Sequence, residues 1–257
     1  MKLSNVFDIA QKEIIEQKYR FLIISLAIPV ISGIFLIPNL VQNSLFLEEL
    51  IRGYSNLYHE YAPEIRRQMI IIDAQLPIYL IMPAFATPYF GLLESFIGER
   101  DARTLEGLFM LPVSRWEILA GKMMPSFGGT LVICCFSYAY HFVTLGLLVG
   151  RDLALHMTGD KWFLLLGVFI PAVVYSVCIT AILISMAVRK IQTAVNISAL
   201  IFAPIYMLLA ATGLGYIRVG PDQVLFGSLF FLLAGVIMTL FVRLRFSVEN
   251  LVLKMHD

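Results

Sequence analysis

Charge is missing from six long stretches of this 257-residue chain. No Asp, Glu, Lys or Arg occurs between Arg20 and Glu48, Asp73 and Glu94, Lys122 and Arg151, Lys161 and Arg189, Lys190 and Arg218, or Asp222 and Arg243. The shortest of these runs has 20 residues and the longest 28, whereas a helix that spans a bilayer takes roughly 20 apolar residues. A charge facing hydrocarbon costs at least ~2.5 kcal/mol, so the 19 basic and 18 acidic residues mark where the chain meets water. With 59% hydrophobic residues and a mean hydropathy of +0.83, a soluble globular domain is excluded, since such domains use about 45–50% apolar residues.

Other absences narrow the chemistry. The three cysteines, Cys134, Cys135 and Cys178, all fall inside uncharged runs and have no His or carboxylate at metal-ligand spacing. They read as small core residues. The four histidines, His59, His141, His156 and His256, are scattered, and no H-E-x-x-H spacing occurs. The one Gly-Lys pair, Gly121-Lys122, is followed by Met123 and lacks the upstream glycine of a phosphate-binding loop. Nothing here binds a nucleotide by that route. No internal repeat, low-complexity stretch or small-residue cleavage site after a short apolar core appears, so the first run is expected to be an uncleaved span.

Continuously apolar runs exclude barrel strands, which alternate over about ten residues. The expected fold is therefore an all-α integral membrane protein with six transmembrane helices. They fall at about 21–42, 72–94, 123–149, 162–188, 191–214 and 223–243, joined by an inner segment at 95–121 and ending in a tail at 244–257. With the N-terminus inside, 13 of the 19 basic residues fall on the inner segments, which puts both ends in the cytoplasm.

Residues 1–20 carry Leu3, Val6, Phe7, Ala10 and Ile14 at helical spacing, which predicts an amphipathic interfacial helix before the chain turns into the membrane. Leu47, Leu50, Tyr54, Leu57 and Tyr61 predict a second amphipathic helix in the first outer loop, within 46–62. Pro77, Pro83 and Pro88 predict a kinked or broken second span. Gly146 and Gly150 form a weak G-x-x-x-G at the outer end of the third. Gly213, Gly215, Gly220 and Pro221 mark a tight turn before the last.

The inner segment after the second span is the one long, charge-dense stretch on its side of the membrane. Thr104 to Leu111 predicts a short helix showing Leu105, Leu108 and Phe109; Pro112 ends it; Ser114 and Glu117 form an S-x-x-E capping box that opens the next helix. Bulky apolar knobs on a short, rigidly held helix suit docking into a cytoplasmic partner.

Glu99-Arg100-x-x-x-Thr104-Leu105-Glu106-x-Leu108, followed by Leu111-Pro112-Val113-Ser114-Arg115-x-Glu117-Ile118-Leu119-x-Gly121-Lys122, resembles the loop of ABC transporter permeases of the type-two export family. The likeness extends to the Lys12-Glu13 pair, six spans and cytoplasmic ends, so it covers nearly the whole chain. It departs at Arg103, where the family commonly has a small residue. The resemblance implies a single permease domain over 1–257, a plasma-membrane location, and a short cytoplasmic coupling helix between spans two and three that fits a cleft on a separate ATP-binding subunit. ATP and Mg would be bound by that partner, with no cofactor, metal or catalytic residue on this chain, and two permease copies or paralogues would form the path. Partner coupling is expected of Glu99, Arg100, Arg103, Thr104, Leu105, Glu106, Leu108, Phe109, Arg115 and Glu117.

The deepest polar or amphipathic groups are Tyr138, Tyr140, His141, Tyr175, Asn196 and Tyr206. They either line a translocation path or bond helix to helix. Two rival functions stand beside the permease. A stand-alone ion-coupled carrier would bury carboxylates or basic residues at mid-membrane, where His141 is the only readily titratable group the sequence places. An intramembrane enzyme would need converging Asp, Glu, His or Ser groups, and Asp73 and Glu94 lie at opposite ends of one span.

Overall fold

The computed structural model describes residues 3–41, 60–102, 113–188, 190–214, 216–217 and 219–245. Within them the chain forms seven helices: α1 Leu3–Val41, α2 Pro63–Asp101, α3 Arg115–Leu148, α4 Arg151–His156, α5 Asp160–Ala187, α6 Ile191–Gly213 and α7 Pro221–Arg245. No strand occurs among the described residues. Five helices, α2, α3, α5, α6 and α7, are long and apolar enough to cross a membrane. The outer segment 46–62 lies outside the described residues except at its last three positions.

The helix starts follow local chemistry. Pro63 and Pro221 occupy first-turn positions, where a missing N–H costs nothing, and Glu64 and Asp222 place negative charge at the positive end of the helix dipole. At α3 the predicted capping box forms: Ser114 Oγ accepts from the Glu117 N–H at 3.3 Å, and Glu117 Oε2 accepts from the Ser114 N–H at 2.9 Å.

Helices α2 and α5 are the centre of the bundle. Ile70, Ile71, Ile72, Leu76, Leu80, Ala84 and Phe85 of α2 meet Val173, Val174, Val177, Cys178 and Ala181 of α5 in one apolar core. In contrast, α6 and α7 are exposed along most of their length, with Leu200, Met207, Phe226, Phe230, Ile237 and Leu244 among the exposed side chains. Where α7 lies on α5, glycines allow the approach: a Cβ on Gly235 would stand 2.7 Å from Tyr175, and one on Gly227 2.8 Å from Phe169. Gly121 serves α3 in the same way against Ile9 of α1.

Several expectations are corrected. Helix α1 passes Arg20 without a break, so no separate interfacial helix turns into the membrane there. Residues 3–28 contain neither proline nor glycine to interrupt it. Its buried face is also rotated from the predicted one: Val6, Ile9, Ala10, Glu13 and Gln17 are buried, while Phe7, Ile14 and Ile15 are exposed. The face that meets protein is chosen by polar partners on α2 and α3, which hydrophobic spacing cannot register. The three prolines do not break α2, which stays helical from Pro63 to Leu93 and widens into a π-helical turn only at Glu94–Gly98. Neighbouring helices and small adjustments tolerate such prolines in membranes. Within 95–121, α2 continues to Asp101 and α3 begins at Arg115, after the expected capping box, while 103–112 lie outside the described residues.

Candidate functional site

The residues flanking 103–112 are built into the bundle by charge. Lys122, on the second turn of α3, is fully buried, yet it is an ammonium with three protons to place. Three close acceptors surround it: Glu13 Oε1 at 2.6 Å, Ser95 Oγ at 2.7 Å and Glu99 Oε2 at 2.7 Å. Ser95 passes its own proton to Glu13 Oε1 at 2.8 Å. Gln17 Nε2 donates to Glu13 Oε2 at 3.0 Å. The Phe96 ring lies 5.2 Å from the ammonium.

The other oxygen of Glu99 faces Lys12 Nζ at 2.7 Å. That hydrogen bond, outweighing partial burial and aided by the charges of Glu99, Glu16 and Glu13, raises the Lys12 pKa above its ordinary value. Lys12 and Lys122 face Glu13 and Glu99 in one charged knot joining α1, α2 and α3, with Glu16 also 3.7 Å from Lys12. Glu13, Glu16 and Glu99 could also converge on a cation, in competition with the two ammonium groups already there.

Two more ties complete the anchorage. Arg100 is buried and uses its fork on the end of α5, Nη1 donating to Ser185 O at 3.2 Å and Nη2 to Val188 O at 2.6 Å. Those carbonyls belong to the last turn of a helix, where a cation is favoured. Glu117, besides its cap, accepts from Asn5 Nδ2 at 3.2 Å. Of the residues expected to contact a partner, Glu99, Arg100 and Glu117 therefore face inward as anchors. Arg115 opens α3, and Arg103, Thr104, Leu105, Glu106, Leu108 and Phe109 lie outside the described residues.

The six deep polar groups are spread over separate seams. His141 Nδ1 lies 2.7 Å from Ser137 O, so the proton sits on Nδ1, and Nε2 meets Ser32 Oγ of α1 at 2.9 Å. Tyr140 stands edge-on to His141 and covers Gly33. Tyr138 donates to Met157 O and lines an open apolar crevice of about 320 Å³ with Phe142 and Trp162. Tyr175 pairs with Thr239 of α7 at 2.7 Å. Tyr206 packs on Phe85, and Asn196 is exposed on α6.

Sequence reasoning missed two features. His141 is not the only titratable group buried among the helices, since Lys122 and Glu13 are as deeply enclosed. At the other end of the bundle, Asp73 of α2 holds His156 at 3.1 Å and Lys161 at 3.2 Å. The signal for both was a lone charge at the border of an uncharged run, close in sequence to nothing of opposite sign.

A fold of apolar helices whose one charge-dense segment is tied to three of them is the arrangement on which the family comparison bears. The family described as ABC-2 family transporter protein matches residues 4–223. The chain belongs to this family. It is thus a multi-pass membrane protein and a permease of an ABC transporter, from a family that implies an ATP-binding partner. Neither the curated proteins nor the solved structures contain a match to it.

Proposed function

We propose that this ABC-2 permease is the six-span membrane subunit of an ATP-driven exporter, and that residues 103–112 carry the stroke of a separate cytoplasmic ATP-binding subunit into the bundle. One observation carries the reading: both ends of that segment are fixed to other helices, through Glu99 and Arg100 on one side and, on the other, through Glu117, which closes its own helix cap with Ser114 and binds Asn5 of α1. A push on the segment therefore reaches α1 through Lys12 and Glu13, α3 through Lys122 and α5 through Arg100 at once. Leu105, Leu108 and Phe109 act as the knobs that enter the partner, with Glu106, Arg103 and Thr104 beside them. The partner holds ATP and Mg.

A second permease copy supplies the other half of the path. Asn196 supports this, because a polar amide exposed on a helix of lipid-facing composition is better satisfied by protein than by hydrocarbon. Of the six deep polar groups, Asn196 and Tyr206 on α6 are assigned to that path, while His141 and Tyr175 bond helix to helix, Tyr138 bonds the Met157 carbonyl and Tyr140 packs over Gly33. The assembly sits in the plasma membrane with both ends of the chain cytoplasmic, in keeping with the distribution of basic residues.

Leu108→Asp tests the assignment. The variant should insert and fold as the wild type does, while a nucleotide-binding ABC protein that copurifies with the wild type is lost, or ATP hydrolysis no longer drives transport. Normal assembly and normal transport by Leu108→Asp would overturn it. One observation favours a carrier driven by protons as a second reading, namely the enclosed Glu13–Lys122–Glu99 group. Transport that persists without any ATPase and follows an imposed proton gradient would select that reading.

A further inference from the structure

A cleft of about 450 Å³ opens between α6 and α7, against α2 and α5. Its floor is formed by Phe85, Leu165 and Phe231, the first two fully buried. Its mouth is formed by Leu208, Phe226 and Phe230, which are 59%, 74% and 66% exposed, so it opens sideways onto the face that meets lipid. Among the described residues no Asp, Glu, Lys, Arg or His lines it, and the polar lining is confined to Thr212 and Gln223, at the end where α6 stops and α7 starts.

We propose that this cleft is a binding site for the acyl chain of a membrane lipid, entering from the surrounding bilayer with its head group held at the Gln223 end. An ion, sugar or charged peptide would be desolvated there against hydrocarbon walls with no compensating partner. Water fares little better, since apolar cavities stay dry, and an empty cleft forfeits contacts on every wall. The occupant is not a helix of a second copy. One turn of helix, ~10 Å across and 5.4 Å high, fills roughly 420 Å³, so the cleft would seat a single turn of a rod that must run the depth of the membrane. A slender chain fits both its size and its lateral mouth. At the rim, Gln223 Oε1 accepts from the Gly220 N–H at 3.0 Å, so the amide offers its Nε2 protons to a head-group oxygen. Thr212 has already given its hydroxyl proton to Leu209 O at 2.6 Å.

The site requires only that the chain spans a bilayer and does not depend on the coupling assignment, so it is tested without any ATPase. The full chain is reconstituted in phosphatidylcholine vesicles doped with phosphatidylcholine carrying a diazirine on one acyl chain, irradiated, and its adducts mapped by mass spectrometry. Adducts on Ile205, Leu209 and Phe231 should exceed those on Ile237 and Leu240, which face lipid outside the cleft, about fivefold. Leu209→Trp, which fills the cleft, should bring the floor down to the level of Ile237 and leave Ile237 unchanged; Ile205→Phe is the alternative if Leu209→Trp does not fold. Floor labelling no greater than that of Ile237, or labelling indifferent to both filling variants, would overturn the proposal. So would light-driven crosslinks between two copies from a diazirine amino acid placed at Leu208 or Phe226, in place of links to lipid.

Discussion

Among the described residues Lys122 is the one cation that touches both Glu13 and Glu99, and Lys122→Met removes it without leaving a hole, since methionine fills most of the lysine's volume. What remains is a carboxylate on Glu13 that is 2% exposed and a second on Glu99 that is 12% exposed, with Lys12 reaching only the latter at contact distance. Stranding a buried charge by deleting its partner costs about 3–5 kcal/mol. For a chain of this size each kcal/mol moves the midpoint by roughly 2–4 °C, so the variant should melt roughly 6–20 °C lower. The buried thiols of Cys134 and Cys178 report this directly with a thiol-reactive dye in detergent, in a Cys135→Ser background that removes the exposed thiol. Adding Glu13→Gln and Glu99→Gln to Lys122→Met should recover at least half of the loss, because replacing a whole buried ionic group is close to neutral. A shift under about 2 °C for the single variant, or a triple variant less stable than the single one, would refute the idea that these charges act as one unit.

Gly121→Ala places a methyl 2.7 Å from Ile9 Cβ and 3.2 Å from the Val6 carbonyl, so α1 must move off α3 at a cost of about 1–3 kcal/mol; Gly128→Ala, with nothing within 4 Å, should be neutral or slightly stabilising in the same melting assay. Arg100→Lys keeps the charge but loses the fork across Ser185 O and Val188 O, and should lower stability by ~1.5–3 kcal/mol, with the earliest loss of hydrogen-exchange protection in the last turn of α5.

Rough positions of five apolar helices, α2, α3, α5, α6 and α7, were legible from charge alone, because hydrocarbon penalises charge wherever it is not enclosed by protein. The capping box at Ser114 and Glu117 was legible for a similar reason, being local in sequence. What stayed hidden is set by contacts far apart along the chain. Lys122 meets Glu13 across 109 positions and Ser95 across 27, and no spacing rule links residues on three different helices. Three prolines suggested a kinked or broken helix, and the break did not occur for a comparable reason: propensity scales describe a helix alone, whereas α2 is enclosed on most sides. The buried face of α1 was misjudged by apolar spacing because Glu13 and Gln17 are paid for by partners that the helix itself does not carry.

An unbroken α1 has a mechanical meaning. Between Glu13, held at the charged knot, and Pro29, the first residue whose missing N–H weakens the rod, lie 16 residue steps, or about 24 Å of uninterrupted helix at 1.5 Å each. Tilting such a rod by 5° about its held end swings the far end sideways by ~2 Å. Ser32 and Gly33, one turn beyond Pro29, touch His141 and Tyr140 of α3, and a displacement of that size is enough to part a hydrogen bond of 2.9 Å. A rotation too small to disturb the charges at one end thus becomes a change of partner at the other, with Pro29 deciding how much of it is absorbed on the way.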